Sequence, residues 1–244
     1  MPKKRLDQLL VDRQLVDSRE QAQRYIRSGW VRINEQVASK PGHLFAEDIT
    51  IDLKQREAYV SRGGLKLEKA YQHFAFNGSG KTIMDIGSST GGFTDFMLQH
   101  GAARVYAVDC GTYQLHLSLR EDPRVIVLEN TNARYLTQEQ IPEQIDLCTI
   151  DTSFISLKKI LPAIVPFLKS DAEIISLIKP QFEASRADIK KGGVVKDSAV
   201  HDRIIDEIQT FGEQELGLEW VGVTPSPIRG PAGNVEFLAY WKTH

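Results

Sequence analysis

The sharpest chemical signal in this 244-residue chain is the run Met84-Asp-Ile-Gly-Ser-Ser-Thr-Gly-Gly-Phe-Thr94. It follows a short apolar stretch and opens an amphipathic one, which predicts a glycine-rich turn between a strand and a helix. Glycines there let the backbone approach a ligand, and the helix start offers unpaired N–H groups and the positive end of a dipole. The next apolar run ends in Asp109, where a carboxylate can accept both hydroxyls of a ribose. Together these suit a nucleoside-containing cofactor. The run is not G-x-G-x-x-G and lacks G-K-[ST], so a dinucleotide or a nucleoside triphosphate fits poorly. Asp85, just ahead of the first glycine, suits a cationic amino-acid group better than a pyrophosphate, and S-adenosylmethionine carries both an ammonium and a sulfonium. A glycine-rich turn after a strand is also common as plain architecture.

The elements that must position these residues follow a regular rhythm. From Thr82 onward, apolar runs without polar alternation recur: Thr82–Ile86, Arg104–Asp109, Val125–Leu128, Asp146–Asp151 and Glu173–Ile178. Such strands are buried on both faces, so the pattern predicts an α/β fold with a parallel sheet covered by helices. The amphipathic stretches Phe93–His100, Ile155–Leu168 and Ser198–Leu216 supply the crossovers. The end differs, with Glu219–Val223, a Pro/Gly turn from Pro225 to Gly233, and Val235–Trp241. That predicts a hairpin that places an antiparallel strand in the sheet. Loop, Asp85, Asp109 and terminal hairpin together point to a methyltransferase.

The first sixty residues are a different object. Leu6, Leu9, Leu10 and Arg13 share a helical stripe, Ser18 and Gln21 have the spacing of a reciprocal cap, and Gly29 stops the second helix. Short alternating runs from Trp30 to Ile51 predict small antiparallel strands. The formal net charge of the chain is −2, which by itself argues against a nucleic-acid partner. Placed by segment, residues 1–32 carry eight basic and four acidic side chains, or +4, leaving −6 on the remainder. No window approaches the roughly 18–20 apolar residues of a membrane span. No secretory signal stands at the amino terminus, and the two cysteines, Cys110 and Cys148, have no metal-ligand spacing. A cytoplasmic protein with no metal site is expected.

With these pieces in place the whole chain resembles the TlyA-type ribosomal RNA 2′-O-methyltransferases. In that family a small RNA-binding domain of the ribosomal-protein "alpha-L" type precedes an FtsJ-like, Rossmann-like class I methyltransferase domain. The runs that carry the resemblance include Val60-Ser-Arg-Gly63, Ser89-Thr-Gly-Gly-Phe-Thr94, Asp122-Pro-Arg-Val125, Thr131-Asn-Ala-Arg134, Ser153-Phe-Ile-Ser-Leu157, Lys179-Pro-Gln-Phe-Glu183, Gly192-Gly-Val-Val195 and Gly233-Asn-Val-Glu236. The resemblance implies a small α+β domain over 1–58, a linker over 59–65 and the methyltransferase domain over 66–244. It implies a catalytic tetrad of Lys66, Asp151, Lys179 and Glu236. It also implies S-adenosylmethionine bound by Asp85, Gly87, Ser89, Thr90, Gly91, Gly92 and Phe93, with Asp109 on the ribose and Asn132 near the adenine.

Simple chemistry makes the tetrad reasonable. Asp151 and Lys179 each end an apolar strand, and Pro180 favours an extended Lys179. A ribose hydroxyl must lose its proton during methyl transfer, and a lysine accepts it only when burial and a neighbouring positive charge favour its neutral form. Lys66 can be that neighbour, although Lys69 lies on nearly the same helix face. Phe93 has a competing role in the core of its helix. Lys3, Lys4, Arg5, Arg19, Arg24 and Arg27 are the expected phosphate contacts of the small domain, against the plainer reading of a solvated helix face. Ser185–Gly193 reads as a lid or a plain connection. The expected partner is ribosomal RNA or a ribosomal subunit, with neither a membrane nor an obligate protein partner.

Other readings are a small-molecule or protein methyltransferase, a ribosome-binding protein without catalysis, and, because the family has also been labelled haemolysin, a membrane-lysing protein. One expectation concerns the linker. Cofactor affinity of the fragment 62–244 should differ from that of the full chain, and identical affinities by calorimetry would make the segment passive.

Overall fold

The structure, a computed structural model, describes residues 3–53, 58–189 and 192–244. Lys190 and Lys191 of the expected lid lie outside the described residues. Two compact units divide the chain, residues 1–58 and 59–244.

In the first unit, strand β1 (Lys3–Arg5) leads into helix α1 (Leu6–Asp12), followed by α2 (Arg19–Arg27). Ser18 Oγ accepts the Gln21 N–H at 3.2 Å, and Gln21 Oε1 answers by accepting the Asp17 N–H at 2.7 Å. This is the reciprocal cap the spacing predicts, with the return bond one residue earlier. Gly29, at φ 73°, ends the helix in the left-handed conformation that glycine adopts without strain. Four short strands follow: β2 (Val31–Ile33), β3 (Gln36–Val37), β4 (Leu44–Ala46) and β5 (Ile51–Leu53). They form two small antiparallel sheets, β1 with β4 and β3-β2-β5. Leu6, Leu10, Ala22, Tyr25, Ile26 and Val31 make its core.

That core also holds one charge. Asp7, fully buried, accepts from Arg5 at 2.8 Å, Arg19 at 3.1 Å and Gln23 at 3.0 Å. The Arg5 bond, outweighing burial, holds its carboxyl well below the usual range. Arg5 and Arg19 therefore brace the unit, whatever else they touch. Lys4 pairs with Asp12 at 3.1 Å and Glu47 at 3.4 Å, while Lys3, Arg24 and Arg27 stand on exposed positions.

The second unit opens where a linker is expected, yet Tyr59 is only 7% exposed and its ring packs 5.6 Å from that of Phe96. Gly63–Leu65 are already the first turn of α3 (Gly63–Phe74). Next come β6 (Thr82–Ile86), α4 (Gly92–Gln99), β7 (Arg104–Val108), α5 (Leu117–Arg120), β8 (Val125–Leu128) and β9 (Ile145–Ile150). The chain continues through α6 (Leu157–Ile164), β10 (Leu168–Ile178), α7 (Pro180–Glu183), α8 (Ser198–Leu216), β11 (Glu219–Pro225) and β12 (Phe237–Lys242).

Among the described residues these strands form one seven-stranded sheet in the order β11-β12-β10-β9-β6-β7-β8. Pairing is parallel from β10 to β8, and β12 runs antiparallel to both its neighbours. Strand β10 starts earlier than expected, at Leu168, because a register shift lets the polar residues Lys169–Asp171 join it. The crossover 155–168 is correspondingly shorter, its helix ending at Ile164 ahead of a tight 3₁₀ turn with Pro166. Apolar side chains of α6 and α8 cover one face of the sheet around Trp241, and those of α3 and α4 cover the other around Phe96.

The seat of Tyr59 is made by a missing side chain, since a Cβ on Gly64 would lie 2.2 Å from the ring. Gly64→Ala should cost about 1–3 kcal/mol of stability through overpacking. Thermal melts should show that loss and its partial relief in the Gly64→Ala/Tyr59→Ala double variant. Additive losses would mean that the ring is not what the glycine accommodates.

Candidate active site

Three neighbouring strands end at one rim and each delivers a functional residue one position past its end: Gly87 after β6, Asp151 after β9 and Lys179 after β10. Lys179 is extended (φ −113°, ψ 100°) with Pro180 as the first helical residue, as the Lys-Pro pair predicts. Its Nζ reaches Asp151 Oδ1 at 2.6 Å and donates to Ser153 Oγ at 3.0 Å. The other oxygen, Asp151 Oδ2, receives Lys66 Nζ from α3 at 3.1 Å, and Lys66 also donates to Glu236 Oε2 at 2.9 Å. Two ammonium groups thus share one carboxylate, and a second carboxylate completes a formally neutral set. Glu236 lies just before β12 and is 1% exposed, so its carboxylate is withdrawn from solvent into this set. Lys69 has no place in this set.

Burial alone would lower the pKa of Lys66, but the Asp151 and Glu236 carboxylates outweigh it and raise the pKa. Burial alone would likewise raise Asp151, and the Lys179 and Lys66 ammonium groups pull it below its ordinary value. Each charge is tolerated because of the others.

The set opens into a cavity of about 580 Å³, whose lining includes Lys66, Asp151, Lys179 and Glu236 with Phe93 and Arg229. A second cavity of about 420 Å³ is lined by Asp109, Gln114, Asn132 and Phe154 among others. Gly87, Ser89, Asp151 and Ser153 line both. A Cβ on Gly87, at φ 82°, would lie 2.6 Å from the Asp151 carbonyl oxygen, and one on Gly92 would lie 2.3 Å from Ser61 Oγ. These glycines let three chain segments converge at the junction. Ser88 Oγ is buried there with no hydrogen-bond partner within the protein.

Of the residues expected to bind the cofactor, Gly87, Ser89, Gly92, Phe93, Asp109 and Asn132 line one cavity or the other. Phe93, 4% exposed, serves the core as well. Asp109 accepts the Ser89 N–H at 2.8 Å and the Gly111 N–H at 2.6 Å, which orients the carboxylate and leaves each oxygen a further lone pair. Asn132 accepts the Arg134 N–H at 3.1 Å. Asp85 lines neither cavity. It sits inside β6, one residue before the strand end, fully buried with the Thr94 and Thr149 hydroxyls on its two oxygens at 2.7 and 2.9 Å. Thr90 and Gly91 also stand back from both linings. Thr90 offers its carbonyl to the His116 N–H, and Gly91, at φ 98°, makes room for Leu115 and Leu119.

Two residues escaped the sequence reading although they lie within a motif it singled out. Ser153 is the second partner of Lys179, and Phe154 stands 91% exposed at the mouth of the second cavity with its backbone at φ 62°. A bulky residue in that conformation is a genuine outlier. The Ser-Phe pair that begins two residues past Asp151 was the available signal.

A parallel sheet with one antiparallel strand, a glycine cradle after β6 and carboxylates after β7 and β9 define a Rossmann-like methyltransferase. The sequence profile of the FtsJ-like methyltransferases matches residues 59–243, and that of the S4 domain matches residues 4–47. The chain belongs to the FtsJ-like methyltransferase family. It is 45% identical over 241 residues to the 16S/23S rRNA (cytidine-2′-O)-methyltransferase TlyA of Mycobacterium tuberculosis, covering 98% of this chain and 90% of that one. It is 40% identical to Hemolysin A of Brachyspira hyodysenteriae, covering 97% and 99%. The solved structure of a candidate hemolysin from Streptococcus thermophilus, 42% identical, superposes with a TM-score of 0.77 over 100% of this chain and 89% of that one.

Burial pushes the Asp85 carboxyl up to about 6, against the opposing hydrogen bonds of Thr94 and Thr149. A raised carboxyl favours the folded state below its ordinary range, and that advantage is lost as pH rises through 6. Ionised Asp85 therefore costs the fold on the order of 3 kcal/mol at neutral pH. Asp85→Asn should melt higher than the parent at pH 8. Between pH 5 and pH 8 the gap should widen by about 1 kcal/mol, or roughly 3 °C. A gap independent of pH would mean that Asp85 does not titrate in the fold.

Proposed function

We propose that this chain methylates ribose 2′-hydroxyls of ribosomal RNA with S-adenosylmethionine, its S4 domain engaging the RNA. The observation that carries the reading is the connected set Lys66, Asp151, Lys179 and Glu236 beside a nucleoside-sized cavity. The activity in the name of the M. tuberculosis relative supports ribosomal RNA as the substrate.

The residues fit the cofactor. The glycines at 87 and 92 leave room that a side chain would fill, Asp109 offers acceptors suited to ribose hydroxyls, and the unpartnered Ser88 hydroxyl is one more polar group at the junction. When bound, S-adenosylmethionine supplies an electrophilic methyl on a sulfonium. Lys66, held by two carboxylates, keeps its proton and acts as a fixed positive neighbour. Lys179, held by one carboxylate oxygen and Ser153 Oγ, would in its neutral amine form take the proton that the 2′-hydroxyl loses on methylation. Asp151 aligns both lysine side chains and Glu236 fixes Lys66, so little reorganisation is needed at the reacting centre. Phe154 offers an exposed ring on which an unstacked base can lie, supported by Phe182 at 5.1 Å.

Mapping ribose methylation in ribosomal RNA with and without the protein tests the reading directly. Lys179→Ala should abolish transfer while S-adenosylmethionine still binds, and retained turnover would remove Lys179 as the base. Phe154→Ala should raise KM for the RNA about ten-fold or more with cofactor affinity unchanged. An unaltered KM would leave the ring without a role in substrate binding. Among the described residues no helix is long and apolar enough to cross a membrane. Dye release from pure lipid vesicles by the purified protein, undiminished in Lys179→Ala, would instead favour the activity in the Brachyspira relative's name.

A further inference from the structure

A carboxylate outside the tetrad organises one wall of the cofactor cavity. Glu129, immediately after β8, accepts three consecutive backbone N–H groups: Tyr113 at 2.7 Å, Gln114 at 2.8 Å and Leu115 at 3.1 Å. The Arg120 guanidinium closes the arrangement, donating to Glu129 and, through Nε, to the Leu115 carbonyl at 3.0 Å. Burial opposes the charge on Glu129, yet Arg120 and the three amides outweigh it and hold the carboxyl down at about 2.

The loop so gathered runs from Asp109 to Leu115. Its shape is not one the chain adopts by default, because Tyr113 sits in the left-handed region at φ 54° and its ring is 85% exposed, with little packing to hold it. The Arg120 guanidinium, 5.2 Å from the centre of that ring, is the nearest support. Cys110 and Gln114 on this loop line the cavity beside Asp109. The following residues repeat the stitching from below: Asn130 N–H donates to the Gly111 carbonyl at 2.8 Å and Thr131 N–H to the Asp109 carbonyl at 2.9 Å. Without the carboxylate, three adjacent amides turn to water and a strained loop loses what fixes it.

We infer that Glu129 is a positioning residue for the nucleoside half of the cofactor, fixing the wall 110–115 before the ligand arrives. The inference rests on S-adenosylmethionine being the cofactor and concerns its adenosine end, away from the reacting methyl. Preorganisation of this kind acts on affinity, with the transfer step left intact once the site is filled.

Calorimetric titration with S-adenosylhomocysteine tests it, using the full-length protein. Glu129→Gln keeps the side chain's shape and removes its charge, and should raise Kd about ten-fold or more. At saturating S-adenosylmethionine its kcat should equal that of the parent, and KM for RNA should not move. In the ligand-free protein the amides of residues 113–115 should exchange with deuterium about ten-fold faster than in the parent. Arg120→Lys, a milder change on the same carboxylate, should shift Kd in the same direction and serves if Glu129→Gln does not fold. Equal Kd values for parent and variant, or a fall in kcat at saturation with Kd unchanged, would overturn the inference. A parent that binds no S-adenosylhomocysteine would instead sink the cofactor assignment itself.

Discussion

The second unit is organised around one carboxylate that serves two cations. Asp151 holds Lys179 on one oxygen at 2.6 Å and Lys66 on the other at 3.1 Å. A shared carboxylate is a strict constraint, because each amine must reach a different oxygen of a single planar group. The sheet meets it by ending the paired strands β9 and β10 at one rim, with Asp151 one residue past Ile150 and Lys179 one residue past Ile178. Helix α3 brings Lys66 from the third direction, and the turn before β12 brings Glu236. Removing any member leaves a largely buried charge unbalanced, which costs far more than an exposed pair is worth.

The same rim opens into both cavities, and glycine settles the competition for space. The backbone after β6 approaches the Asp151 carbonyl so closely that residue 87 can carry no side chain. Beneath the turn lies Asp85, a carboxyl placed where apolar surroundings disfavour its charge and two threonine hydroxyls partly restore it. The site is thus built on a local sacrifice of stability, the pattern expected where strain and buried polarity gather around function.

Much of this was legible in the residues. The five parallel strands announced themselves as unbroken apolar runs, the glycine turn marked the rim, and Lys179-Pro180 fixed a strand end. The antiparallel β12 followed from the Pro/Gly turn before it. Less legible were features set by tertiary context. Nothing local distinguishes the buried Asp85 from a carboxylate that faces a ligand, because the difference is one residue of strand pleat. The segment 59–65 has the glycines of a connection, yet Tyr59 is drawn into the core by Phe96 and the first turn of α3 forms within it. Exposure also hides in sequence. Phe154 looks like core, and its 91% exposure appears only once the backbone has turned through φ 62°. Basic residues of the first unit read as a uniform phosphate-binding set, whereas Arg5 and Arg19 are partly spent on Asp7.

The bond from Lys66 to Glu236 spans 170 residues of chain. Since synthesis runs from the amino end, the S4 domain, the glycine turn and three of the four charged partners can all exist while the fourth is still unmade. A polypeptide released before residue 236 would leave Lys66 only the Asp151 carboxylate it shares with Lys179, and its sheet would lack the antiparallel strand. The stretch from residue 236 to the end of β12 thus closes the charged set and both faces of the core together.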